Sequence, residues 1–88
     1  MAKWMVYMLQ CADNSFYTGI TTDLHRRVQQ HNNGTGAKYT RSRRPVLPIY
    51  REYVDSYGDA LKREYAIKQL SHQQKEELIL SEKNQVTD

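Results

Sequence analysis

Residues 5–21 read MVYMLQCADNSFYTGIT. The run from Trp4 to Cys11 is almost continuously apolar, the pattern of a strand buried on both faces, and it implies a central strand. Ala12 to Ser15 then supply turn residues. FYTGIT at 16–21 is aromatic and β-branched enough to return antiparallel as the second arm of a hairpin. Each arm carries a tyrosine, Tyr7 and Tyr17, and the register decides whether they can cooperate. With Cys11 opposite Phe16 the two rings project from opposite faces of the sheet. With Ala12 opposite Phe16, across a three-residue turn, they share one face. We expect this second register, with both hydroxyls on the face that Arg27, His31 and Glu64 approach. Gly19, inside the second arm, marks a place where something comes close to the backbone.

Beyond the hairpin, TTDLHRRVQQHNNG has the punctuation of a helix over about 23–32: Thr22 or Asp23 to cap it, Asn33 and Gly34 to stop it. Pro45 and Pro48 bracket a turn, and IYREYV alternates as a third strand at a sheet edge. DSYGDALKREYAIKQL is a second helix, and SHQQKEEL opens a third with Ser71 at its N-cap. Residues 82–88, EKNQVTD, are polar and expected to be a disordered tail after a single domain at 1–81. The order β-β-α-β-α-α implies a small α+β fold, with a three-stranded, mainly antiparallel sheet flanked by helices.

Eighty-eight residues supply one core and no more. The lone Cys11 excludes a disulfide framework within the chain, and three histidines with one cysteine fit no zinc-ligand spacing. The apolar stretch near the start is too short to span a bilayer, so the expectation is a cytoplasmic protein with no membrane role. Charge placement says more than the net +3. Residues 33–48 hold Lys38, Arg41, Arg43 and Arg44 and no acid; without them, nine basic residues face ten acidic ones. A basic loop that also carries Tyr39 points toward phosphate. A solvated loop that serves solubility is the ordinary alternative.

At about 100° per residue, Leu24 and Val28 define the buried stripe of the first helix, and Arg27 and His31 lie one turn apart along its edge. Such a pair can reach a shared cleft while its stems pack on the core, or can simply be a snorkelling arginine beside a half-buried histidine. In the second helix Ala60, Leu61, Tyr65 and Ile67 mark an apolar arc that contains Glu64 and leaves Lys62 and Arg63 outside. A carboxylate placed there needs a cation, a metal or a donor to offset its desolvation. Lys68 at i+4 is the plain partner; Arg27, or a divalent cation held against a substrate phosphate, are the others. Seven tyrosines against one Phe and one Trp suggest that hydroxyls matter.

Together these residues resemble the GIY-YIG nuclease domain over roughly residues 3–81. MVY at 5–7 and YTG at 17–19 stand where that family has its two motifs. Arg27 stands where the family has its phosphate-contacting arginine, His31 where it has a tyrosine or histidine, and Glu64 where it has its metal-binding glutamate. The stretch GTGAKYTRSRRPVLPIYREYV is similar to the small single-domain bacterial subgroup of YhbQ/YazA-like proteins. The resemblance implies hydrolysis of DNA phosphodiesters with Mg²⁺ or Mn²⁺ at Glu64, in repair or recombination, with RNA left open as a partner. Tyr7, Tyr17, Arg27, His31 and Glu64 would be catalytic, and Lys38, Tyr39, Arg41, Arg43 and Arg44 would bind the nucleic-acid backbone. So small a domain would rely on a protein partner for specificity. A nucleic-acid-binding module without turnover, and a protein-interaction domain, are the competing readings.

Overall fold

The apolar run near the start does form the middle of a sheet. A computed structural model of the chain describes residues 3–86. It contains strands β1 (Met5–Gln10) and β2 (Phe16–Thr21), helices α1 (Leu24–Asn32) and α2 (Lys38–Arg41), strand β3 (Leu47–Tyr53), and helices α3 (Tyr57–Lys68) and α4 (His72–Ile79). The sheet order is β2-β1-β3, and both pairings are antiparallel. The fold is therefore α+β, with β1 central and β3 at an edge. Among the described residues no helix is long and apolar enough to cross a membrane.

Period-two alternation along β1 builds two half-cores. Met5, Tyr7, Leu9 and Cys11 pack on one face with Leu24 and Val46, and Val6 and Met8 pack on the other with Tyr50, Ala60 and Ile67. Val6, Met8 and Leu9 are fully buried, each contributing roughly 1.5–3 kcal/mol. This explains why the strand reads as a continuous hydrophobic run. Helices α1 and α3 lie on opposite faces as a result.

The hairpin has the expected face relation but a different register. Gln10 is opposite Phe16 and Tyr7 is opposite Gly19. The Cys11 N–H donates to the Ser15 carbonyl at 2.8 Å, so the three-residue turn is Ala12–Asn14, one residue earlier than expected. The reason is local. Asn14 takes the left-handed conformation (φ 67°), which Asn tolerates, and the Asp13 carboxylate accepts from the Ser15 N–H at 3.0 Å. Moving the turn by one residue shifts both strands together, so parity survives and Tyr7 and Tyr17 share a face.

Three other expectations need correction. The basic loop is not wholly irregular, since residues 38–41 form α2. The buried stripe of α3 is not the arc through Leu61 and Tyr65, which are 41% and 69% exposed. It runs through Ala60 and Ile67, with Arg63 and Glu64 half-buried beside them. Arg63 lies inside because its Nε donates to both Glu52 carboxylate oxygens at 3.1 Å. Finally, residues 82–86 are not a detached tail. Asn84 Nδ2 donates to the Ile49 and Ile79 carbonyls at 2.9 Å, its Oδ1 accepts from Arg51 N–H at 3.2 Å, and the Gln85 N–H donates to the Arg51 carbonyl at 2.7 Å. Residues 87 and 88 of the expected tail lie outside the described residues.

Candidate functional site

Tyr7 lies across its partner on the neighbouring strand. A Cβ on Gly19 would stand 2.6 Å from the Tyr7 hydroxyl, so the glycine lets the phenol extend over β2 toward the edge of the sheet. There the hydroxyl meets His31 Nε2 at 2.9 Å. Helix α1 places that imidazole one turn beyond Arg27, with Asp23 capping the first turn by accepting from the Arg26 N–H at 3.1 Å. His31 is not at the margin of the core as the wheel suggested but fully inside it. Gly36 permits this, because a Cβ there would come within 2.5 Å of His31 Nδ1.

Burial sets the protonation of this pair. It lowers the His31 pKa from 6.5 to about 4, with the Arg27 charge acting in the same direction. It raises the Tyr7 pKa from 10 to about 12; the Arg27 guanidinium opposes this rise, and negative charge on Tyr17 or Glu64 adds to it. At neutral pH both groups are uncharged, and a separated phenolate–imidazolium pair is disfavoured from both sides. Tyr17 completes the wall, its ring 6.3 Å from Tyr7 and 5.1 Å from His31. It is half-buried where Tyr7 is 1% exposed, which makes it the phenol that solvent can reach. Arg27 is half-buried, and its Nη1 donates to Gln30 Oε1 at 2.9 Å.

Glu64 does not come from the face expected. Arg27 and His31 approach from α1 on the tyrosine face, whereas Glu64 rises from α3, which packs on the other face. Its charge is nonetheless felt at the Tyr7 oxygen, since that oxygen already overhangs β2, the edge strand. Glu64 pairs with Lys68 at 3.3 Å, the i+4 partner. Among the described residues no three His, Cys, Asp or Glu side chains gather into a metal cluster. One carboxylate fits a cation of the Mg²⁺ or Mn²⁺ kind, which takes the rest of its oxygens from substrate phosphate and water.

A cleft of about 270 Å³ opens beside the wall, lined by Phe16, Tyr17, Thr18, Tyr39, Lys68 and Lys75. The Tyr17 and Tyr39 rings stack with centroids 6.0 Å apart. Thr18, though 3% exposed, has a hydroxyl with no hydrogen-bond partner among the described residues. The expected basic set divides in two. Lys38 and Arg41 are exposed on α2. Arg43 sits over the Tyr39 ring at 3.9 Å and bridges to Asp13 at 3.1 Å, and Arg44 donates to the Arg41 and Asn32 carbonyls at 2.9 and 3.2 Å. Arg43 and Arg44 brace the loop that presents the other two. Sequence reasoning missed Lys75, which enters the cleft from α4, and Thr40, whose hydroxyl lies 2.7 Å from His31 Nδ1. Neither carries a signal in spacing or composition.

Comparison with known proteins bears on the whole arrangement. The profile described as the GIY-YIG catalytic domain matches residues 3–77, a span that contains every residue of the wall and cleft. A UPF0213 protein of Desulfotalea psychrophila is 56% identical over 77 residues, covering 86% of this chain and 70% of the relative. One from Staphylococcus haemolyticus is 52% identical over 79 residues, covering 90% and 96%. Two solution NMR structures share the fold. That of a UPF0213 protein from Bacillus halodurans has a TM-score of 0.59 at 42% identity, covering 92% of this chain and 86% of that one. That of a protein from E. faecalis has a TM-score of 0.63 at 43% identity, covering 91% and 85%.

Proposed function

The chain belongs to the GIY-YIG catalytic domain family, a nuclease family, and we propose that it hydrolyses DNA phosphodiester bonds as a structure-selective or weakly specific nuclease dependent on Mg²⁺ or Mn²⁺. The observation that carries this reading is the uncharged, buried Tyr7–His31 hydrogen bond behind an accessible Tyr17, with a guanidinium on one side and a carboxylate on the other. That set meets the needs of in-line attack by water on phosphorus.

Tyr17, at the opening, relays the proton of the attacking water: its phenolic oxygen takes up that proton as its own O–H proton passes to solvent. Tyr7 and His31 hold the wall behind it rigid and dry, so that charge at the reacting centre is not screened. Arg27 offsets the negative charge that grows on the phosphoryl oxygens as the water oxygen bonds to phosphorus and the bond to the leaving oxygen breaks. Glu64, paired here with Lys68, would hold the cation, which would supply Lewis-acid stabilisation of the leaving oxygen. Lys38 and Arg41 contact the backbone, while Tyr39, Lys68 and Lys75 line a path for the adjoining nucleotide.

The test is cleavage of labelled single-stranded, duplex, flapped and branched DNA with Mg²⁺ or Mn²⁺, comparing wild type with Arg27→Ala and Glu64→Ala. Each variant should lose about 10²–10³-fold in rate, the range for removing one group that stabilises transition-state charge. Equal background cleavage by wild type and Glu64→Ala would sink the enzymatic reading. The Glu64–Lys68 pair favours one alternative, a nucleic-acid-binding module without turnover, whose mark would be salt-sensitive DNA binding and no cutting.

A further inference from the structure

The hydrogen-bond chain behind Tyr7 does not stop at His31. Thr40 is fully buried on α2. Its Oγ1 is 2.7 Å from His31 Nδ1 and 3.0 Å from the Ala37 carbonyl oxygen, while the Ala37 N–H stands 3.4 Å from the same Nδ1. A hydroxyl has one proton, so two arrangements compete. If Thr40 donates to Nδ1, two bare oxygens face each other at 3.0 Å and the imidazole proton moves to Nε2. If Thr40 donates to the Ala37 carbonyl, Nδ1–H donates to Thr40, and what is given up is the longer hydrogen bond that the Ala37 N–H donates to Nδ1 at 3.4 Å. The second arrangement satisfies both short hydrogen bonds. It also suits the far end of the chain: the Tyr7 hydroxyl stands 2.9 Å from His31 Nε2, and a bare Nε2 accepts the phenolic proton.

We propose that Thr40 is a positioning residue: its hydroxyl accepts the Nδ1–H of His31, holds the ring in the tautomer whose Nε2 is a bare acceptor, and so fixes the Tyr7 hydroxyl as an inward donor. This deepens the nuclease reading and rests on it only for the kinetic consequence. The four-residue helix that turns Lys38, Tyr39 and Arg41 outward turns Thr40 inward, so the loop that meets the backbone also sets the proton arrangement of the site.

The experiment uses the full chain, ¹⁵N-labelled, with the ring nitrogens of His31 read at neutral pH by long-range ¹H–¹⁵N correlation. The expected result is a pyrrole-type Nδ1 and a pyridine-type Nε2 in wild type and in Thr40→Ser, with a shift toward Nε2–H in Thr40→Val. Cleavage should fall about tenfold or more in Thr40→Val, the scale of losing an outer hydrogen-bond partner that orients a histidine of the site, and recover in Thr40→Ser. A pyrrole-type Nε2 in wild type overturns the proposal, as does an unchanged tautomer in a folded Thr40→Val. If Thr40→Val does not fold, wild type and Thr40→Ser decide it on tautomer alone. A wild type with the expected tautomer that cuts no DNA would refute the nuclease reading and still support the assignment of Thr40.

Discussion

A histidine kept neutral inside the protein ties stability to pH. Burial holds the His31 pKa near 4 in the folded chain, against about 6.5 when unfolded. Above pH 6.5 both states are neutral and the contribution is complete. As pH falls below 6.5 the unfolded chain gains a proton that the folded one refuses until about 4, so stability declines by ~1.4 kcal/mol per pH unit across that window and levels off below it. Urea midpoints of wild type should therefore fall more steeply between pH 7 and 4.5 than those of His31→Gln. All other titratable groups are common to both proteins and cancel in the comparison. Parallel slopes would mean that the folded protein protonates His31 freely. Of the charged groups, Arg27 faces this ring and keeps it from ionising.

At the scale of elements, the last described residues act as a brace. The side chain of Asn84 makes four hydrogen bonds, two donated to the Ile49 and Ile79 carbonyls and two accepted from the Arg51 and Val86 N–H groups. It thereby joins the free edge of β3 to the end of α4. Replacing Asn84 with Ala leaves backbone groups on both elements without partners and should cost about 1–3 kcal/mol. Chemical denaturation measures this, and the Arg51 amide should exchange faster with solvent; an unchanged midpoint and exchange rate would show that the segment braces nothing. No periodicity announces such a residue, because a polar stretch that binds a sheet edge has the same composition as one that frays. The arc of α3 is misread for a related reason. Leu61 and Tyr65 are apolar by type, but the charged pair Arg63–Glu52 satisfies itself in the position that they were expected to fill.

At the scale of the whole molecule, four cations belong to α2 and to the cleft that Tyr39 of α2 lines. Lys38 and Arg41 stand on α2, and Lys68 and Lys75 line the cleft beside Tyr17 and Tyr39. Replacing Lys38 and Arg41 together by Ala should lower the slope of log K against log salt for DNA binding by about 1.4–1.8, at roughly 0.7–0.9 for each phosphate no longer neutralised. Thermal stability should hardly change, since both side chains are exposed. Arg44→Ala should behave in the opposite way, lowering stability through the Asn32 and Arg41 carbonyls with little change in slope. Equal slopes for wild type and the Lys38/Arg41 double variant would remove α2 from the DNA interface.

The central place of β1, the cap at Ser71, a cap at Thr22 or Asp23, and the shared face of Tyr7 and Tyr17, though not its register, were legible in the residues alone. They depend on local rules: the period of a strand and the acceptor a helix end requires. The assembly of the site was not. That Glu64 comes from the far face, that His31 is wholly buried, that Arg43 and Arg44 are braces, and that Thr40 completes a chain to Tyr7 all depend on which groups meet across long stretches of sequence. Such meetings are set by packing and by the pairing of buried polar atoms, quantities that exist only once the chain has closed on itself.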